Sequence, residues 1–197
     1  MSMRSRSIST SIFFGVVIGL LAMILAPVFV PLQYAAEARI LVTPRAIPGV
    51  DPYTSSKAAE RIAQNLAQIV GTSEFFNRVI SVSLGVDATY FAGDELLRRE
   101  LWQKTVEASV VYNTGILRVA AYHPDKQQAV NIATAVTYVL TQSGNDFAVN
   151  AADFRLIDRA IAAKLPARPH FAAIGLGGFL AGTGASLLYL RSRKRSI

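Results

Sequence analysis

The chain has 197 residues, room for about one soluble domain and a pair of membrane segments. It contains no cysteine, which excludes disulfides, thiolate zinc sites and thiol catalysis. Its net charge of +7 is concentrated at the ends: Arg4 and Arg6 precede one apolar block, four basic residues follow another, and the 14 Lys and Arg between them meet 13 Asp and Glu. Such a distribution is a topology signal and excludes a basic groove for nucleic acid.

Residues 7–36 carry no charge, and residues 12–32 are the apolar heart of a first transmembrane helix. Ala36-Glu37-Ala38 imitates a signal-peptide cleavage site, but a signal h-region runs only about 7–15 residues. The block therefore reads as an uncleaved anchor, with Pro27 and Pro31 in its last turns. Ala36, Ala38, Ile40 and Val42 alternate with polar residues and predict a strand, ended by Thr43-Pro44. Pro44, Pro48, Gly49 and Pro52 then make a loop.

Ala59, Ile62, Ala63, Leu66, Ile69 and Val70 fall on one helical stripe. Thr54, Ser55 and Ser56 are its candidate N-caps, and Gly71 suits a left-handed position at its end. A second helix starts at Thr72 or Ser73, with Phe75, Phe76, Val79 and Ile80 inward and Gly85 past its end. A third covers residues 94–104, with Leu96, Leu97, Leu101 and Trp102 as its apolar face. Val106, Ala108, Val110 and Tyr112, the turn Asn113-Thr114-Gly115, and Leu117, Val119 and Ala121 predict a hairpin. Asp125 caps the next helix, with Gln128 in the reciprocal position of a capping box. Ala129, Ile132, Ala133, Val136 and Leu140 are its stripe, which fades near Gly144 and can run on to Ala152. Residues 154–160 read as a last strand.

Residues 170–190 are an uncharged second transmembrane helix. Arg191, Arg193, Lys194 and Arg195 follow it, and with Arg4 and Arg6 they place both termini in the cytoplasm. The expected organisation is a cytoplasmic N-terminus (1–11), a first span (12–32), an extracytoplasmic α+β domain with a mainly antiparallel sheet (33–169), a second span (170–190) and a basic cytoplasmic tail (191–197). The domain's first and last strands join the two spans, so they should lie together. Pro166 and Pro169 fix φ near −65° and withhold two backbone donors, which makes a semi-rigid joint before the second span. Gly178 and Gly182 form a GxxxG pair that Ser186 extends, a line that lets helix backbones approach closely in lipid.

No catalytic constellation stands out. His123 at a strand end and His170 at a membrane boundary have no ligand spacing around them and read as satisfied surface residues. The charges of residues 94–104 read as a solvated helix face, and the glycines of residues 175–184 lie in the second span, not in a phosphate loop. No cofactor or metal is expected.

Taken in order, four local patterns resemble the Wzz-type polysaccharide chain-length determinants, or polysaccharide co-polymerases. Tyr34-Ala35-Ala36-Glu37-Ala38-Arg39-Ile40-Leu41-Val42 resembles the family's first strand after the membrane. Thr72-Ser73-Glu74-Phe75-Phe76-Asn77-Arg78-Val79-Ile80 resembles its second-helix signature. Asn113-Thr114-Gly115-Ile116-Leu117-Arg118-Val119, with His123-Pro124-Asp125, Ala129, Ile132 and Ala133, resembles its hairpin and long helix. Ile157-Asp158-Arg159-Ala160 with Pro166 and Pro169 resembles its exit. The resemblance covers most of the chain. It implies a non-enzymatic homo-oligomer of the plasma (inner) membrane that modulates the length or export of a surface polysaccharide. Its implied partners are a polymerase or export machinery and the growing glycan.

Two departures stand out. About 137 outer residues leave little room for the long membrane-distal helical region of larger members, and with seven residues after Leu190 a fused tyrosine kinase is not expected. Two other classes stay open: a two-helix membrane sensor or adaptor acting through a separate cytoplasmic partner such as a tyrosine kinase, and a membrane-anchored enzyme, which no motif supports.

Overall fold

The computed structural model describes residues 2–45, 51–147 and 152–193. In chain order the elements are α1 (Ser2–Phe29), β1 (Tyr34–Pro44), α2 (Pro52–Val70), α3 (Ser73–Ser81), a 3₁₀ turn (Ala88–Phe91), α4 (Glu95–Thr105), β2 (Val106–Val110), β3 (Ile116–His123), α5 (Lys126–Phe147), β4 (Ala152–Ala162) and α6 (Phe171–Arg193). The chain divides into two compact units: residues 33–166, and the two terminal segments 1–32 and 167–197.

Residues 33–166 form an α+β domain on a four-stranded antiparallel sheet of order β2-β3-β1-β4. Alternation carries β1: Ala36, Ala38, Ile40 and Val42 are buried, whereas Glu37 and Arg39 are exposed. On β3, Ala121, Val119 and Leu117 stand opposite Ala36, Ala38 and Ile40, so one face of both strands is the core face. All five stripe residues of α5 (Ala129, Ile132, Ala133, Val136 and Leu140) are buried in the same core. The alanines matter here, because small side chains on both layers let a helix settle close to the sheet.

Trp102 is the largest fully buried side chain. It meets the rings of Phe76 and Phe91 edge-on at 5.2 and 5.7 Å, and its Nε1–H donates to the Val70 carbonyl at 2.7 Å. That bond satisfies a buried polar handle and pins α4 to the end of α2.

The helix ends depart from expectation in instructive ways. The N-cap of α2 is Asp51, not Thr54, Ser55 or Ser56; its carboxylate accepts from the N–H groups of Tyr53 and Thr54, with Pro52 in the first turn. The Thr54 hydroxyl, 2.6 Å away, and these amides hold the Asp51 carboxyl below the usual aspartate range. Gly71 ends α2 at φ −79°, so the left-handed turn expected there is absent. Thr72 caps α3, and Asp94, expected as the first residue of the third helix, is the N-cap of α4. Leu96 and Leu97, however, are 68% and 57% exposed, because α4 is buried only at its C-terminal end through Trp102 and Thr105. The hairpin is shorter than its alternation suggests: β2 stops at Val110, and Tyr112 is exposed in a turn that Asn113 closes at φ 57°.

Asp125 accepts from the Gln128 N–H at 2.9 Å, as a capping residue should. The reciprocal half of the box is absent. Gln128 turns away to accept from the Asp87 N–H and donate to the Gly85 carbonyl, and the Asp125 N–H donates instead to Nδ1 of His123 at 3.0 Å. His123 is buried and packs on Tyr90 with ring centroids 4.3 Å apart, so it is a core residue and not a surface one.

Candidate functional site

Two features bear on function: the pair of long apolar helices, and the place where the domain's ends continue into them. Within the terminal unit, Ser11–Phe29 of α1 and Phe171–Leu188 of α6 are long and apolar enough to cross a membrane. At 1.5 Å per residue each spans about 27–29 Å. The second, expected over 170–190, is helical from Phe171 to Arg193. The first helix begins at Ser2 and stops at Phe29, short of residue 32, because a residue before proline avoids the helical region and Val30 precedes Pro31. Pro27 is accommodated within its last turn.

The two helices meet along small residues. A Cβ on Gly178 would stand 3.0 Å from Gly19 Cα and 3.1 Å from Ala22 Cβ; one on Gly182 would stand 3.0 Å from both Gly15 Cα and Ile18 Cβ. Ser186 Oγ donates to Ser11 Oγ at 3.1 Å. Residues 178, 182 and 186 thus meet 19, 15 and 11 in turn, an antiparallel register. Backbones this close gain dispersion contacts that larger side chains would prevent. The expected Gly178, Gly182 and Ser186 line is therefore filled by α1 of the same chain. Its counterpart, Ser11, Gly15 and Gly19, was missed in the sequence although the same four-residue spacing announces it. Away from this seam the pair is lined with bare apolar side chains, among them Phe13, Ile24, Val28, Leu180 and Leu188, which are 64, 70, 75, 61 and 70% exposed.

On the domain side, β1 and β4 pair antiparallel from Ala36↔Ala162 to Pro44↔Ala152, with two register shifts on the way. The Ala163 N–H adds a bond to the Ala35 carbonyl at 2.7 Å. Lys126 donates to the Lys164 carbonyl at 3.1 Å while its ammonium sits 4.5 Å above the Tyr34 ring. Both ends of the domain are thus fastened side by side. The division between the two units falls between Pro166 and Ala167, inside the Pro166-x-x-Pro169 run.

β4 lies at the sheet edge and is largely bare: Leu156, Ile157 and Ile161 are 40, 47 and 70% exposed. Of the predicted topology residues, Arg4 and Arg6 lie in α1 and Arg191 and Arg193 in α6, while Lys194 and Arg195 fall outside the described residues. His170 is exposed, one residue before α6. Neither a family model nor a curated protein matches this chain.

Proposed function

We propose that this chain is a two-span protein of the plasma membrane with both termini cytoplasmic and residues 33–169 outside. It acts without catalysis, as a homo-oligomer that modulates the length or export of a surface polysaccharide together with a polymerase or export machinery. The observation that carries this reading is the β1–β4 pair. It fastens the domain's two ends together, and each end continues into an apolar helix, the arrangement a domain held at a membrane by both termini requires. The exposed apolar side chains of the helix pair support the membrane assignment, since a contiguous apolar face of that extent marks a membrane or partner contact. The order of sequence patterns that resembles the chain-length determinants supports the polysaccharide role.

Because the small-residue seam is occupied within the chain, contacts between copies belong elsewhere. The bare edge of β4, with Leu156, Ile157 and Ile161, is the surface we assign to them. The Pro166-Pro169 joint would then set how each copy is presented to the polymerase.

The test is genetic. The gene is deleted from its host, and surface polysaccharide is resolved on a gel with and without complementation. A shifted modal length or a lowered amount, restored by the wild-type chain, is expected. Polysaccharide of unchanged length and amount overturns the role.

A further inference from the structure

A cavity of about 260 Å³ opens on the domain between α3, the 3₁₀ turn and α4. Phe76 and Phe91 line it, each at least nine-tenths buried, and Ala88, Ala92 and Gly93 are among its small walls. Gly93, at φ 144°, lets the chain turn into α4 without a side chain at the mouth. Two polar side chains converge on the opening, Asn77 from α3 and Arg98 from α4. The Arg98 guanidinium carbon lies 5.7 Å from the centroid of the Phe76 ring. Neither Asn77 nor the Arg98 side chain has a hydrogen bond or ion-pair partner among the described residues, and no carboxylate lines the cavity.

We propose that this cavity binds one acidic sugar residue, its carboxylate on Arg98 and its ring in the space between α3, the 3₁₀ turn and α4. The choice of a sugar rests on the polysaccharide reading above; the rest comes from the cavity. Sites for drug-sized ligands run from about 300 Å³ upward, so this one takes about a single ring. The small apolar residues Ala88, Ala92 and Gly93 leave room at the opening for the C–H edge of a pyranose. A guanidinium presents paired N–H donors in the plane a carboxylate accepts, and Asn77 adds an amide for a ring hydroxyl. The Arg98 guanidinium already lies within cation–π range of the Phe76 ring, so its fork is partly oriented before a ligand arrives. A neutral sugar would leave that cation without its partner, which makes the site selective for charge.

The chain carries its own reporter. Trp102 is the sole tryptophan and packs edge-on against Phe76 and Phe91. The full chain in lipid nanodiscs is titrated with methyl glucuronide, methyl glucoside and acetate while Trp102 emission is followed. Equilibrium dialysis of radiolabelled methyl glucuronide runs beside it. Saturable binding of the glucuronide is expected, with the glucoside and acetate weaker by about tenfold or more. Arg98→Gln should weaken the glucuronide by a similar factor, and Arg99→Gln, which removes the same charge one position away, should not. Absence of saturable glucuronide binding in dialysis overturns the proposal, as does equal binding of the glucoside or of acetate by the wild-type chain, or equal loss in Arg99→Gln. Failure here leaves the effect of gene deletion on polymer length untouched, and an unchanged polymer leaves the measured sugar binding standing, so the two readings fail separately.

Discussion

Bulk added at Gly178 and Gly182 should force α1 and α6 apart. The Cβ positions lie 3.0 Å from Gly19 Cα and Gly15 Cα, where ordinary contact is 3.4–4 Å, and the obstructing atoms are backbone that cannot rotate away. Even alanine therefore requires the backbones to give by a few tenths of an ångström, and leucine by more. Overpacking of this kind costs about 1–3 kcal/mol per site. At about 1.4 kcal/mol per tenfold, the double Leu variant lowers the pairing equilibrium constant by one to several orders of magnitude.

The chain has no cysteine, so Ser11→Cys with Ser186→Cys installs a unique pair where two hydroxyls now touch at 3.1 Å. Oxidation in membranes should give a fast-migrating monomer with an internal disulfide, and Gly178→Leu with Gly182→Leu should strip most of it away. Mixed populations carrying only one cysteine each should give little dimer. Efficient dimer from the mixture, or an internal disulfide indifferent to the leucines, would refute the seam.

Four further outcomes are expected. Trp102→Ala should destabilise the domain by about 3–5 kcal/mol in denaturant unfolding, whereas Trp102→Phe should lose mainly the bond to Val70 and part of the ring, about 1–2 kcal/mol; equal losses would count against that bond. The Asp51 and Asp87 carboxyls are both depressed, first by the hydroxyls of Thr54 and Thr89, so their capping is intact above the ordinary aspartate pKa and fades as pH falls through their lowered values. NMR titration should place both below a free aspartate, and amide protection at the start of α2 should drop in step; titration at the free value would contradict the geometry. Reporter fusions at Ser2 and Ile197 should be active only as cytoplasmic markers and a fusion near Gly93 only as an external one, an external C-terminus being fatal to the topology. Replacing Pro166 and Pro169 by Ala should preserve expression and insertion while shifting polysaccharide length on a gel, and a wild-type distribution would strip the joint of its role.

The sheet and the large helices were legible because their signals are periodic and their burial is one-sided. Ala36 to Val42 read as a half-buried strand, and Ala129 to Leu140 as one stripe, and both are packed that way. What escaped depends on contacts that no local window contains. Leu96 and Leu97 satisfy a helical stripe, but α4 offers only its last turn to the core, through Trp102. Gln128 stands at the right spacing for a capping box, yet the Gly85 carbonyl and Asp87 N–H, some forty positions upstream, claim its side chain. The seam glycines of α6 were visible as a motif. That α1 supplies the complementary face could have been read from Ser11, Gly15 and Gly19, had the two spans been compared. The cavity beside Arg98 needed the 3₁₀ turn, which has no periodic signature.

The β1–β4 pair also decides how the domain answers a pull. Its two ends leave from the same end of one antiparallel ladder, so drawing residues 33 and 166 apart loads the rungs singly, beginning with Ala163 N–H to Ala35 C=O and then Ala36↔Ala162. Each rung is worth only about 0.5–1.5 kcal/mol net, and opened this way none shares its load with the next. The domain therefore yields like a zip from its open end, a rung at a time, and the ladder's register shifts between Glu37 and Ile40. Ala162 and Ala160 also pack against the buried core, so peeling strips apolar contacts as well as rungs. A domain so tied is compliant at its root and stiff in its body.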